Sequence, residues 1–153
     1  MSDAAWLPAA DWLRVVRHAP LVSIDLILHD PEGRVLLGLR NNEPARGSWF
    51  VPGGAVRKGE TLDAAFARIA RSELGLLLER GAATLQGVYE HFYETNFSGA
   101  PGVGTHYVVL AHRLPQAAPV APADAQHRAL RWSSPADLLA DPAVHDYVKA
   151  YFR

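Results

Sequence analysis

The stretch that decides the fold runs from residue 53 to residue 76, GGAVRKGETLDAAFARIARSELGL. Two glycines open it, five residues separate Gly54 from Glu60, and a helical pattern follows. Leu62, Ala65, Phe66, Ile69 and Ala70 recur at i, i+3 and i+4, Thr61 stands where a cap belongs, and Gly75 lies just past Leu74. The spacing predicts a helix over 61–74 entered through a tight loop, with the glycines ending a strand. Glycines let main chain approach a ligand or ion closely. Arg68 and Glu73 are about one and a half helical turns apart, so they point to different faces. One face can offer the Glu73 carboxylate to a hard cation, while Arg68 braces the loop through Glu60. Magnesium suits such a site, because it takes oxygen ligands and keeps waters while binding substrate phosphates.

Working outward, residues 8–18 place Trp12, Leu13, Val15 and Val16 near helical spacing, and Pro20 closes that segment. LVSIDLILHD at 21–30 reads as a strand, and Pro31, Glu32 and Gly33 turn into a second strand at 34–40, so the two are expected to form a hairpin. Residues 41–47 are a polar loop, and 48–51 a short strand. Beyond the helix, 85–93 and 105–114 read as strands joined by the Gly-rich loop SGAPGVG at 98–104. Pro115, Pro119 and Pro122 mark a long loop, 130–132 a short strand, and 134–139 with 142–152 closing helices. Ser133 or Ser134 and Asp141 are candidate caps. Short antiparallel links among the strands exclude purely parallel winding, so the fold class expected is α+β, an α/β/α sandwich with a mixed sheet.

The 153 residues are one domain's worth, 1–153, and long enough to bury a core without staples. Fifteen Lys plus Arg against sixteen Asp plus Glu leave a net charge of −1, without the basic surplus of a nucleic-acid binder. The absence of cysteine excludes disulfides, thiolate zinc sites and cysteine nucleophiles. The first residues carry Asp3 and no basic run, so they do not read as a signal peptide, and no apolar stretch approaches a membrane span. A cytoplasmic, single-domain protein is the expectation.

Read as G-x5-E-x7-R…E-x-G-aliphatic, the residues Gly54, Glu60, Arg68, Glu73, Gly75 and Leu76 resemble the Nudix box of nucleoside-diphosphate-linked hydrolases. The strand–loop–helix placement agrees with the periodicity. A full box carries Arg-Glu-x-x-Glu-Glu, three carboxylates over one turn that hold metals for attack on phosphorus. Here those positions read Arg68, Ile69, Ser72 and Glu73, so two of the three are missing. That thinned box resembles one branch, the GDP-mannose mannosyl hydrolases, in which water attacks C1 of the sugar and the nucleoside diphosphate leaves. VVRHAPLVSIDLIL, WFVPGG, GETLDAAFARI, HFYETNFSG, THYVVL and DAQHRALRW, in that order, are all similar to that family.

The resemblance implies Mg²⁺, with Mn²⁺ as an alternative, held by the Gly53 carbonyl, Glu73 and Gln126, with Gly54, Glu60 and Arg68 as scaffold of the motif. It implies His127 as general base, a role imidazole suits because it titrates near working pH. Among seven histidines the residues alone would not select it. It implies Arg40 at the departing diphosphate, Asp25 at the sugar, and His91 and Tyr107 as substrate contacts. Each has a plainer reading: a surface arginine, an aspartate hydrogen-bonded to Ser23 or a neighbouring strand, and interior residues satisfied by main chain. Family members tend to carry Arg after the two glycines, where this chain has Ala55; Arg57 is the candidate substitute. The implied reaction is hydrolysis of GDP-mannose or a related GDP-hexose to GDP and free sugar with inversion, by a homodimer without nucleic-acid or membrane partners. A nucleotide-sugar pyrophosphatase releasing GMP and sugar 1-phosphate, and a non-catalytic nucleotide-sugar-binding module, are the alternatives.

Overall fold

The structure, a computed structural model, describes residues 6–114 and 129–153. Gln126 and His127 lie outside the described residues.

The elements follow the order α1 (Ala9–His18), β1 (Leu21–Leu28), β2 (Val35–Leu39), β3 (Trp49–Phe50), β4 (Gly53–Ala55), α2 (Leu62–Leu74), β5 (Thr84–Tyr93), β6 (Thr105–Leu114), β7 (Leu130–Ser133), α3 (Pro135–Ala140) and α4 (Asp146–Lys149). A turn of 3₁₀ helix, Ala150–Phe152, follows α4. The strands form a mixed four-stranded sheet, β4-β1-β6-β5, and a three-stranded antiparallel sheet, β3-β2-β7. β1 and β6 run parallel, from Leu21 opposite Tyr107 to Leu28 opposite Leu114.

Helix α2 has the ends its sequence asks for. Thr61 accepts a hydrogen bond from the Ala64 amide at 3.1 Å, and Gly75 closes the helix in the left-handed region at φ 67°. Its apolar face, Ala65, Phe66, Ile69, Ala70 and Leu74, packs against Ile24, Leu26 and Leu28 of β1 and Leu36 of β2. The alternate residues of the same strands, Ile27, Val35 and Leu37, face a second core with Leu138 of α3, Val148 of α4 and Tyr151. Helices thus cover both faces of these strands, the expected α+β sandwich.

Two local expectations are corrected. β1 and β2 are not a hairpin. The turn between them is well formed: the Asp30 carboxylate accepts from the Glu32 and Arg34 amides at 3.0 and 2.8 Å. The strands then part after a single bridge, His29 to Val35, and enter different sheets. Each is apolar on both faces and central in its own sheet, so each needs two partners the other cannot supply.

The glycines also do not end a strand. Gly53 and Gly54 begin β4, which pairs antiparallel with β1. A Cβ on Gly53 would collide with the Asp25 carboxylate and stand 2.6 Å from the Ile24 carbonyl oxygen, so only glycine admits this approach. Of the candidate caps, Ser134 accepts from the Asp137 amide at 3.1 Å to start α3. Asp141 instead accepts from the Ala143 amide in the turn before α4, which His145 caps through its Nδ1. No helix among the described residues is long and apolar enough to cross a membrane.

Candidate active site

A cavity of about 430 Å³ opens where β4, the end of α2 and the strands β1, β5 and β6 meet. Asp25, Arg40, Gly53, Gly54, Glu73, His91 and Tyr107 all line it, so the fold brings together most of the residues singled out in the sequence. Its lining also has an aromatic part, Trp6, Trp12 and Phe97, whose rings are tilted against one another at successive centroid distances of 5.4 and 6.4 Å.

The motif loop is built by a carboxylate–guanidinium pair. Glu60 accepts from Arg68 Nε at 2.7 Å and from Nη2 at 3.0 Å, and also from the Arg57 amide at 2.8 Å. Arg68 reaches further to the Ala55 carbonyl at 2.8 Å, tying α2 to β4. The Arg68 hydrogen bonds hold the Glu60 carboxyl below its usual range. This pair is scaffold, as expected. On the same helix face, Ile69 packs within 3.1 Å of where a Gly54 Cβ would lie, and Glu73, one turn on, is buried at the cavity wall.

The strand register says where the Gly53 carbonyl points. The Leu26 amide donates to Pro52 O and the Val56 amide to Val22 O, both at 2.8 Å, on either side of the Ile24–Gly54 pair. That alternation leaves Gly53 facing Asp25 as a non-hydrogen-bonded pair, with its N–H and C=O turned away from β1 on the free edge of the sheet. A buried carboxylate and an edge carbonyl are oxygen donors suited to a hard divalent cation that keeps other ligands of its own. Among the described residues no three histidines or acidic side chains converge to hold a metal.

Asp25 sits on β1 with its carboxylate held by the Tyr151 hydroxyl, which donates to Oδ2 at 2.5 Å. Burial pushes the Asp25 carboxyl up to about 6, against the opposing pull of Tyr151 and of Arg40. The competing hydrogen bond to Ser23 does not occur. Tyr151 was not singled out by sequence; the spacing of Tyr147 and Tyr151 on one turn was the available signal.

His91, on β5, is buried and lies flat on Tyr147, with ring centroids 4.3 Å apart. Burial, then His145, lowers its pKa to about 4, so it is neutral at pH 7. Tyr107, on β6, stands edge-on to Tyr93 at 6.1 Å, and burial raises its phenol pKa. Arg40 follows β2 directly; its Nε donates to the Pro44 carbonyl at 2.8 Å and its guanidinium lies 5.4 Å from the Phe50 ring centre. It is the one Lys or Arg among the described residues lining the cavity. Ala55 lines the wall without charge, and Arg57 stands outside the lining, over Trp6 at 5.2 Å.

The NUDIX domain family matches residues 19–153. The chain belongs to the NUDIX family. This NUDIX chain is 40% identical over 146 residues to the low-salt glycan biosynthesis protein Agl8 of Haloferax volcanii, a match covering 95% of this chain and 88% of that one. It is 37% identical over 70 residues to an ADP-ribose pyrophosphatase of Methanocaldococcus jannaschii, covering 46% of this chain and 40% of that protein. Among solved structures it resembles a MutT protein from Methanosarcina mazei Go1, with TM-score 0.68 and 19% identity over 88% of this chain and 92% of that one. A MutT NUDIX hydrolase from Burkholderia pseudomallei gives TM-score 0.66 and 26% identity, covering 88% and 97%. The NUDIX fold and membership of a hydrolase family are thereby established.

Proposed function

We propose that this NUDIX protein hydrolyses GDP-mannose, or a close GDP-hexose, by attack of water at C1 of the sugar, releasing GDP and the inverted sugar. The observation that carries the reading is the cavity face of α2. It offers Glu73 as its carboxylate, while Ile69, at the place of a second acid in a full box, is buried against β4. With Ile69 at that place and Ser72 at the place of the third acid, this helix lacks the carboxylate cluster that holds metals for attack on phosphorus. The name of the Haloferax volcanii relative, a glycan biosynthesis protein, agrees with a sugar-bearing substrate.

Nudix hydrolases use a divalent metal such as Mg²⁺; bound by Glu73, the Gly53 carbonyl and Gln126, it would neutralise the diphosphate and improve the leaving group. Arg40 adds positive charge on the same wall. Asp25 faces the sugar, where negative charge favours an oxocarbenium-like transition state. His127 takes the proton from the attacking water. His91 and Tyr107 contact the substrate, and the enzyme works as a homodimer.

The test is proton and phosphorus NMR of GDP-α-mannose with enzyme and Mg²⁺, followed from the first minutes. GDP appearing together with β-mannose supports the reading. GMP with mannose 1-phosphate refutes it and returns the chain to pyrophosphatase chemistry, the activity named for the Methanocaldococcus relative. An unchanged, retained nucleotide sugar leaves a binding module. His127→Gln protein with near-wild-type turnover refutes the assignment of the base.

A further inference from the structure

We propose that Tyr151 is a positioning residue for the reaction read above, its phenol fixing the Asp25 carboxylate against the cavity. The hydroxyl donates to Asp25 Oδ2 at 2.5 Å, across 126 residues of sequence. Asp25 Oδ1 faces the bare Gly53 Cα, whose missing side chain leaves that oxygen room. One carboxylate oxygen is therefore tied and the other presented. The tie is rigid because Tyr151 is itself anchored. Its ring is buried edge-on to Tyr89 at 4.7 Å, and its carbonyl accepts from Gln86 Nε2 at 2.7 Å.

The same hydroxyl oxygen lies 3.5 Å from His91 Nε2. With its hydrogen committed to Asp25, the oxygen is left as an acceptor toward the imidazole. His91 is held in turn by stacking on Tyr147, whose hydroxyl bonds both the amide and the carbonyl of Phe92 at 3.0 Å. The segment after α3 thus sets two cavity side chains through one phenol. Burial and the Asp25 carboxylate raise the phenol pKa, so the donor stays protonated across the working range of pH.

Tyr151 does not line the cavity, so it acts through Asp25, and this fixes the test. Tyr151→Phe keeps the ring and removes the donor. It should lower kcat about 10–100-fold with KM changed less than about 3-fold, since misplacement of a reacting group is felt mainly in the transition state. In an Asp25→Asn background, Tyr151→Phe should cost little more. Full kcat in the single variant, or losses that multiply in the double, overturns the proposal. A melting temperature lowered with unchanged kcat reduces Tyr151 to a structural role and also overturns it.

Should the Phe variant fail to fold, wild-type protein labelled at tyrosine Cζ supplies the second measurement. A Tyr151 hydroxyl proton signal downfield of the other tyrosines, moved by Asp25→Asn, supports the tie; a signal indifferent to Asp25 overturns it. The proposal rests on the catalytic reading, yet the two fail differently. The reaction products judge the chemistry, whereas the double-mutant cycle, run on whichever bond the wild type cleaves, judges Tyr151.

Discussion

Gly53→Ala tests how tightly β4 is laid on β1. The added methyl would meet the Asp25 carboxylate and stand 2.6 Å from the Ile24 carbonyl oxygen and 3.3 Å from the Asp25 Cα. Ordinary contact begins near 3.4 Å, so about 0.8 Å must be found against main chain, which cannot rotate out of the way. β4 is an edge strand and can swing outward, but only by stretching the flanking 2.8 Å hydrogen bonds from Leu26 to Pro52 and from Val56 to Val22. Overpacking of about 1–3 kcal/mol plus one weakened hydrogen bond sums to about 2–4 kcal/mol, or roughly 4–16 °C in Tm for a chain of this size. The neighbouring change, Gly54→Ala, is the control. Its methyl meets Ile69 Cγ1 at 3.1 Å, the movable part of a side chain, and should cost under about 1.5 kcal/mol. Urea unfolding of both variants, with m-values to check that the transition is unchanged, measures the difference. Equal stability of the two variants would refute the argument that main-chain approach, and not general crowding, makes Gly53 obligatory.

Other outcomes follow from the same geometry. Asp25 carries a folded pKa of about 6 against an unfolded value of 3.8, so its charged form is disfavoured in the fold and stability falls as pH rises between the two. Asp25→Asn should therefore be the more stable protein above pH 7, by up to about 3 kcal/mol, with no advantage at pH 4, in unfolding titrations at the two pH values. Glu60 is shifted the other way, so its pairing stabilises above the unfolded carboxylate pKa and is lost as pH falls through the lower folded one. Glu60→Gln should cost about 1–3 kcal/mol at pH 7, for a pair about four-fifths buried, and the gap to wild type should close in acid. Glu73→Gln should fold normally and lose at least about 100-fold in metal-dependent turnover, checked by titrating Mg²⁺ against activity. Ser134→Ala, which removes the α3 cap to the Asp137 amide, should cost about 1 kcal/mol by thermal melting and leave turnover unchanged.

What the sequence made legible was mostly local. Helix α2 was readable end to end because Thr61, the apolar stripe and Gly75 act within a few residues of one another. The scaffold pair of Glu60 and Arg68 was readable for the same reason: eight residues and two turns of chain bring them together. The β1–β2 error arose because the Asp30 turn has sound hairpin chemistry, while the parting of the strands is decided by β4, β6, β3 and β7. Glycines at 53 and 54 read as a stop because they lack strand propensity; the absence of a side chain is what lets Gly53 pair so close to Asp25. Asp25 stood out as a charge in an apolar strand, but its partner could not, since nothing in residues 21–28 points to Tyr151. Trp6 and Trp12 also line the cavity, which the helical spacing of residues 8–18 does not signal.

The parallel pairing of β1 with β6 has a consequence for how the protein comes into being. Its eight rungs, Leu21 with Tyr107 through Leu28 with Leu114, close a loop spanning more than half the chain. Such closures forfeit chain entropy before any contact repays it, so folding belongs at the slow end for mixed α/β domains. Until those strands meet, Asp25 of β1 and Tyr107 of β6 are not brought side by side in one sheet, and a half-folded chain has no formed cavity to receive a ligand. A ligand held between them acts on the finished protein: it slows escape from the native state and leaves the rate of arrival unchanged.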